Sequence, residues 1–387
     1  MLAVRSCLRF GATTCVARPS LPVSAPRRGF RGRDFLDEIH IWRDKVVKLA
    51  NPSIGVSKGD IDPWKASVSE RDEPDRGENR PEPVVEALKA GSLGFGFSAG
   101  GMLFPYYIGV VEALEELGII TEDTKIGGAS AGSLIAATYH SGIGSKAATE
   151  ACLTLAAELR KNGTRGRLKS NLRVFLEKLL PDDVHERCTD KAYISVTRAF
   201  PRPRNMLLSE YTSREDLIEA LLTSCHIPWW FDNTLFTIFR GKRCYDGGLT
   251  NFIPLPPTQH GVRVCCFPSK QITTIYDIGI SPDNYEDWPH TLQEMLSWAF
   301  EPADDKLLLE FIGKGRADAK AWAKASGALS VVRPDAEQDV PAKADQQSED
   351  YQDLENAHPK SSSVKTATQA AVVQGKATST KPESPSA

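Results

Sequence analysis

Two stretches of this chain repeat one local plan, and that plan narrows the fold more than any other feature. An apolar run of strand length, a glycine-rich turn and an apolar run of helix length follow one another at 93–117 and again at 125–140. Leu93–Phe97 reads as a strand and Pro105–Leu117 as a helix, with proline in the first turn, where a missing N–H costs little. Lys125–Ala129 reads as a second strand and Ala131–His140 as the helix behind it. Strand, helix, strand, helix at this spacing predicts an α/β fold with a largely parallel sheet.

The flanks have a different character. Residues 1–33 hold seven arginines, no Asp or Glu, and much Ser, Thr, Pro and Ala, the composition of an organellar transit peptide, plastid or mitochondrial. A disordered basic tail has the same composition. Over 34–50, Phe35, Ile39, Trp42, Val46 and Leu49 fall on one helical face, for packing on the domain or lying on a membrane surface. Residues 51–81 are polar and proline-rich and read as a linker. The main domain is expected over 82–329. Beyond it, residues 333–387 hold one Leu and no Ile, Phe, Trp or Met, too little apolar surface to offset ordering entropy, so 330–387 is expected to be disordered.

A net charge of -3 argues against a nucleic-acid partner, and no apolar run is long enough to span a membrane, so any membrane contact is expected to be peripheral. The eight cysteines form no CxxC pair, and Cys265 and Cys266 are adjacent. They are expected to be reduced and buried. No His/Cys/Asp cluster has ligand spacing, so no metal and no cofactor is expected.

The second glycine-rich turn is Gly128-Ala129-Ser130-Ala131-Gly132, a G-x-S-x-G pentapeptide between a strand and a helix-forming run. That is the context of a nucleophile elbow, in which the serine rides a sharp bend and small residues two before and two after let the backbones approach. The helix N-terminus favours negative charge there, and the Ala131 N–H is placed to donate to an oxyanion. By itself the pentapeptide fits a plain glycine-rich turn equally well. The first turn, Phe97-Ser98-Ala99-Gly100-Gly101-Met102, is a second source of free N–H groups, and the two turns together make an oxyanion hole. Dinucleotide binding is the rival reading, since Gly94, Gly96 and Ala99 fit G-x-G-x-x-A. The glycines, however, begin inside the strand, and no acidic residue closes a second strand at the required distance.

A serine needs a base. Asp246 opens the chain's one Asp-Gly-Gly, Asp246-Gly247-Gly248, which in isolation is an ordinary turn. Glycine-rich loop, elbow and Asp-Gly-Gly in this order resemble the patatin-like phospholipases, most of all the branch containing adipose triglyceride lipase and adiponutrin. FSAGGMLFPYYIGVVEAL at 97–114, FLEKLLPDDVHERCTDKAYISVTR at 175–198, LIEALLTSCHIPWWF at 217–231 and CYDGGLTNFIPLP at 244–256 carry the similarity, over about 93–268.

The resemblance implies a three-layer α/β/α sandwich with a mainly parallel central sheet. It implies a Ser–Asp dyad with Ser130 as nucleophile and Asp246 as base, an oxyanion hole from Gly100, Gly101 and Met102 beside Ala131, and motif glycines Gly128, Gly132, Gly247 and Gly248. The implied substrate is an acylglycerol or other glycerolipid at a peripheral membrane or lipid-droplet surface. The implied reaction is ester hydrolysis through an acyl-enzyme, with transacylation and lipid binding with weak turnover as alternatives. The chain departs from the family's loop at Ala99 and Phe104, where glycines are usual, and at Leu103, where patatins place a basic residue.

A dyad is physically sensible, because a carboxylate shielded from water has a raised pKa and becomes a better base. A triad would draw on His260 or His290, both downstream of Asp246. The aromatic run Ile227-Pro228-Trp229-Trp230-Phe231 reads as core, or as an apolar wall or interfacial foot. Arg165, Arg167, Lys169 and Arg173, interleaved with Leu168, Leu172 and Phe175, read as a solvated helix face or a lipid-headgroup contact.

Overall fold

The computed structural model describes residues 83–272 and 277–333. The basic segment 1–33, the 34–50 helix, the 51–81 linker and the tail from 334 onward lie outside the described residues. Helix α1 (Pro83–Lys89) leads into strand β1 (Leu93–Phe97). Then come α2 (Phe104–Glu116), β2 (Ile126–Gly128), α3 (Ala131–Ser141), α4 (Ser145–Asn162), α5 (Leu168–Leu179), α6 (Val184–Cys188), β3 (Ala192–Arg198) and β4 (Arg204–Leu208). α7 (Arg214–Ser224), β5 (Thr237–Phe239), β6 (Lys242–Asp246), β7 (His260–Val264), β8 (Ile278–Ile280), α8 (Leu292–Phe300), α9 (Asp305–Ala325) and α10 (Ala328–Val332) follow. The last of these runs past the domain boundary expected at 329.

Local chemistry sets the helix ends. Pro105 occupies the first turn of α2, and α3 stops at Gly142, which takes a left-handed C-cap. Ser213 caps α7 by accepting the Asp216 N–H, and Thr291 and Glu294 form a capping box on α8.

The strands form one eight-stranded sheet in the order β5-β6-β3-β2-β1-β7-β8, with β4 also on β3. From β3 to β8 neighbours run parallel, and β4, β5 and β6 add an antiparallel margin. All five residues of β1 are buried, so both faces of the sheet's centre are covered, as a helix-sheet-helix sandwich requires. The α/β sandwich expected from the sequence is what the chain adopts.

One register detail positions the site. β3 has three partners. β4 occupies one edge along 194–198, so β2, pairing at 192–194, and β6, pairing at 196–198, share the other. Gly128 lies opposite Ile194 and Asp246 opposite Val196. Where β2 ends, β6 arrives from the opposite direction in the same row.

Candidate active site

Ser130 leaves the sheet at this junction. Its backbone has φ 51° and ψ -119°, a sparsely populated region for a residue with a Cβ. The bend needs both flanking glycines. A Cβ on Gly128 would stand 1.9 Å from the Gly132 carbonyl oxygen, and one on Gly132 would stand 2.2 Å from that of Phe97. The strained residue is anchored from both sides. Its N–H donates to Ser224 Oγ (2.9 Å), and the Ser224 hydroxyl donates to the Ser195 carbonyl (2.7 Å). The Ser133 hydroxyl donates to the Ser130 carbonyl (2.6 Å).

Asp246 is fixed by its backbone and by its side chain. Its N–H donates to the His226 carbonyl (2.9 Å), and its carbonyl accepts the Thr197 hydroxyl (2.8 Å). Carboxylate Oδ1 accepts the Gly248 N–H (2.7 Å), and the Ser130 side chain is near enough to lower the carboxyl's pKa. Asp246 is 3% exposed and Ser130 5%. Burial raises the Asp246 pKa from 3.8 to about 7, and the Gly248 N–H and the nearby Ser130 side chain pull the other way. A carboxylate of that basicity can accept a proton from a neighbouring hydroxyl near neutral pH.

The turn after β1 faces the same space. Gly101 has φ +55°, and a Cβ there would meet the Ala299 carbonyl oxygen at 2.1 Å. The N–H groups of Gly101, Met102 and Ala131 have no acceptor among the described residues. All three residues border the cavity that Ser130 borders. Gly100 does not; a Cβ on it would meet Cys266 Sγ, so it serves close packing. Of the loop's departures, Leu103 is core, Ala99 packs against Gly248, and Phe104 is a wall of the cavity.

That cavity encloses about 870 Å³ counted out to its open mouth. From Ser130 it runs between Leu134 and Thr138 of α3, Ala148, Ala151, Cys152 and Leu155 of α4, and Leu168, Leu172, Phe175 and Leu176 of α5. The apolar stripe of the basic helix is therefore inward-facing cavity wall. The aromatic run divides by residue: Ile227 and Trp230 line the cavity, Phe231 is core, and Trp229 is 49% exposed.

Neither histidine weighed for a triad borders the cavity. His260 pairs with Leu93 at the strand starts, the sheet edge opposite Ser130, and His290 lies between Trp288 and Trp298. The residues that do reach Ser130 and Asp246 are Ser224, through its hydroxyl, and His226, through its backbone carbonyl, and the sequence alone assigns neither a role. The available signal was the polar Thr223-Ser224-Cys225-His226 at the end of an otherwise apolar helix. The six described cysteines are free and buried, and Cys225 stands beside Ser130 with its thiol pKa raised by burial. Among the described residues no group of His, Cys, Asp and Glu is arranged to hold a metal ion.

The family profile described as patatin-like phospholipase matches residues 97–258, a span that takes in both glycine-rich turns and Asp246. Human patatin-like phospholipase domain-containing protein 4 is 32% identical over 46% of this chain and 73% of its own length. Omega-hydroxyceramide transacylase of Mus musculus is 29% identical over 62% of this chain and 42% of its own. Mouse 1-acylglycerol-3-phosphate O-acyltransferase is 28% identical over 62% and 63%. The chain thus spans about half the length of several of these relatives. The profile match, these identities and the α/β sandwich agree, and the chain belongs to the patatin-like phospholipase family.

Proposed function

We propose that this chain is a serine acyl hydrolase acting on glycerolipid esters, with Ser130 as nucleophile and Asp246 as base. The observation that carries this reading is the meeting of a strained, exposed-to-cavity serine with a buried carboxyl of raised pKa at the end of an apolar cavity. Asp246 takes the Ser130 proton as Oγ attacks the ester carbonyl. The N–H groups of Gly101, Met102 and Ala131 are the candidate donors to the tetrahedral oxyanion. Collapse of that intermediate releases the alcohol, which takes the proton back from Asp246, and leaves an acyl-Ser130 ester. Asp246 then takes a proton from water as its oxygen attacks the acyl-Ser130 carbonyl, and returns that proton to Ser130 Oγ as the ester bond breaks and the fatty acid leaves. The acyl chain lies along α4 and α5, where contact is apolar and sequence-tolerant.

Transacylation differs only in the acceptor, an alcohol in place of water. The names of two relatives, a transacylase and an acyltransferase, favour testing it. Labelling with a fluorophosphonate probe and mapping the modified residue tests the main reading. Modification at Ser130 and its loss in Ser130→Ala support it; labelling elsewhere, or turnover intact in Ser130→Ala, ends it. A labelled chain that hydrolyses no glycerolipid ester would be the weak, lipid-binding relative. Adding a lyso-lipid or diacylglycerol and tracing the acyl group separates transferase from hydrolase. Residues 1–33 support delivery to an organelle, which a fusion of that segment to a fluorescent reporter tests.

A further inference from the structure

The cavity mouth continues onto a surface that the chemistry does not use. The loop after α7 lines the cavity with Ile227 and Trp230 and exposes Trp229 between them. The same loop doubles back, the Trp229 N–H donating to the Thr234 carbonyl (2.8 Å), and delivers Phe236 against Phe200, which is 53% exposed (ring centroids 6.2 Å). The Arg243 guanidinium lies over both rings, 5.5 Å from Phe200 and 5.0 Å from Phe236, three residues before Asp246. On the other side of the mouth Arg165 lies over Trp230 (5.8 Å).

Charge is segregated around this rim. Three segments that flank it, 163–176, 198–209 and 233–245, contain no Asp or Glu; of the acids beside them, Asp232 is paired with Lys169 (2.8 Å) and Glu301 accepts the Thr164 hydroxyl (3.0 Å). Arg165, Arg202, Arg204 and Arg243 are exposed, and none has an acidic partner within salt-bridge distance among the described residues. At the opposite end of the strands, Glu115, Glu122 and Asp123 are exposed where α2 ends and β2 begins. A chain of net charge -3 has therefore gathered unneutralised cations and exposed aromatic rings beside one cavity mouth. Solvent alone does not favour that arrangement. Aromatic rings and arginines with nothing acidic to pair are matched by a surface that is apolar beneath and anionic on top.

We propose that the rim formed by Trp229, Phe200 and Phe236 with Arg202, Arg204 and Arg243 docks on an anionic phospholipid surface, rings in the interface and guanidinium groups on headgroup phosphates. The proposal rests on the lipid hydrolase reading for its purpose, since docking there sets the cavity mouth against the lipid, but its binding test is independent of turnover.

The full-length chain and its variants are sedimented with phosphatidylcholine vesicles with and without phosphatidylserine, and turnover of a water-soluble short-chain ester is measured in parallel. A cation at an anionic surface contributes about 1 kcal/mol, roughly fivefold in partition, so removing two costs about thirtyfold. Arg202→Glu with Arg243→Glu is expected to lose at least that on anionic vesicles while hydrolysing the soluble ester normally. Arg202→Lys with Arg243→Lys is expected to bind within about threefold of the unaltered chain. Phe200→Ser with Trp229→Ser, which leaves the charges in place, is expected to weaken binding about tenfold or more, by lost ring burial. The basic segment 1–33 carries seven arginines that bind the same vesicles and would mask the rim, so every chain in the series carries glutamine at those seven positions. Glutamate variants that bind like the unaltered chain overturn the proposal, as does binding indifferent to phosphatidylserine or to salt. If the soluble ester is not hydrolysed but binding follows the charge series, the hydrolase reading fails and the docking surface stands.

Discussion

The turn after β1 and the turn after β2 border one cavity, and only one of them is strained. At the first, the positive φ falls on Gly101, which has no Cβ and tolerates it. At the second, φ 51° and ψ -119° fall on Ser130, at a cost on the order of 1–3 kcal/mol. On the proposed function the first turn has only to supply backbone N–H groups, so glycine suffices. On the same proposal the second must also present a hydroxyl, which accounts for a side chain where glycine would fit better, held by Ser224, Ser133 and two obligatory glycines.

Exchanging the two solutions gives the largest expected effects. Ser130→Ala should lower ester turnover by about 10⁴-fold or more, with the fold unchanged by circular dichroism. Ser130→Gly should be as inactive, yet more stable by about 1–2 kcal/mol in urea unfolding, because glycine accepts that backbone geometry. A destabilised Ser130→Gly would break the contrast, showing that the bend is not strained. Gly128→Ala and Gly101→Ala should each cost about 4 kcal/mol or more, read as lost soluble yield or a lowered midpoint. Both added methyls meet a carbonyl oxygen near 2 Å, of Gly132 in one case and of Ala299 in the other.

Asp246, the proposed base, extends the same contrast to electrostatics. The Asp246 carboxyl has a folded pKa of about 7 against 3.8 when free, so folding favours its neutral form. That stabilisation is fully present below pH 3.8 and is lost as pH rises through about 7. Asp246→Asn cannot ionise and keeps an oxygen for the Gly248 N–H. It should therefore be inactive, equal in stability near pH 4, and more stable than the unaltered chain by up to about 4 kcal/mol at pH 8. Turnover by the unaltered chain should fall about tenfold per pH unit below 7 as the base is protonated. A turnover profile flat from pH 5 to 8 would remove Asp246 from the role of base.

How much of this was legible in the sequence follows the range of each interaction. β1 was located to the residue, and α2, β2 and α3 to within a residue or two, because strand, turn and helix chemistry is local. Ser130 was legible for the same reason. That Asp246 reaches Ser130 was carried only by family resemblance, since it depends on β3 offering one edge to both β2 and β6, a pairing no local pattern encodes. The basic stretch at 165–175 looked like a solvated face because periodicity reveals an apolar stripe but not what it covers, and here it walls the cavity. Gly100, matched to the oxyanion loop by position, turned out to pack against Cys266, a neighbour more than 160 residues away in sequence.

Ser224 was the least legible of the residues that matter, and it gives the smallest effect. It sits 94 residues from Ser130, on the last residue of α7, in a position where sequence shows only a polar helix end. Its hydroxyl accepts one N–H and donates to one carbonyl, so Ser224→Ala leaves a buried donor and a buried acceptor unpaired and should destabilise by about 1–3 kcal/mol. The consequence for chemistry is separable. If the anchor holds the strained bend, kcat and the rate of fluorophosphonate labelling at Ser130 should both fall about tenfold with KM little changed, because the cavity wall is intact while the nucleophile is looser. If KM rises and the labelling rate holds, Ser224 merely supports the α7 end of the cavity. The strain at Ser130 is then maintained by Gly128 and Gly132 alone, and the second turn is closer to the first than the hydrogen bonds suggest.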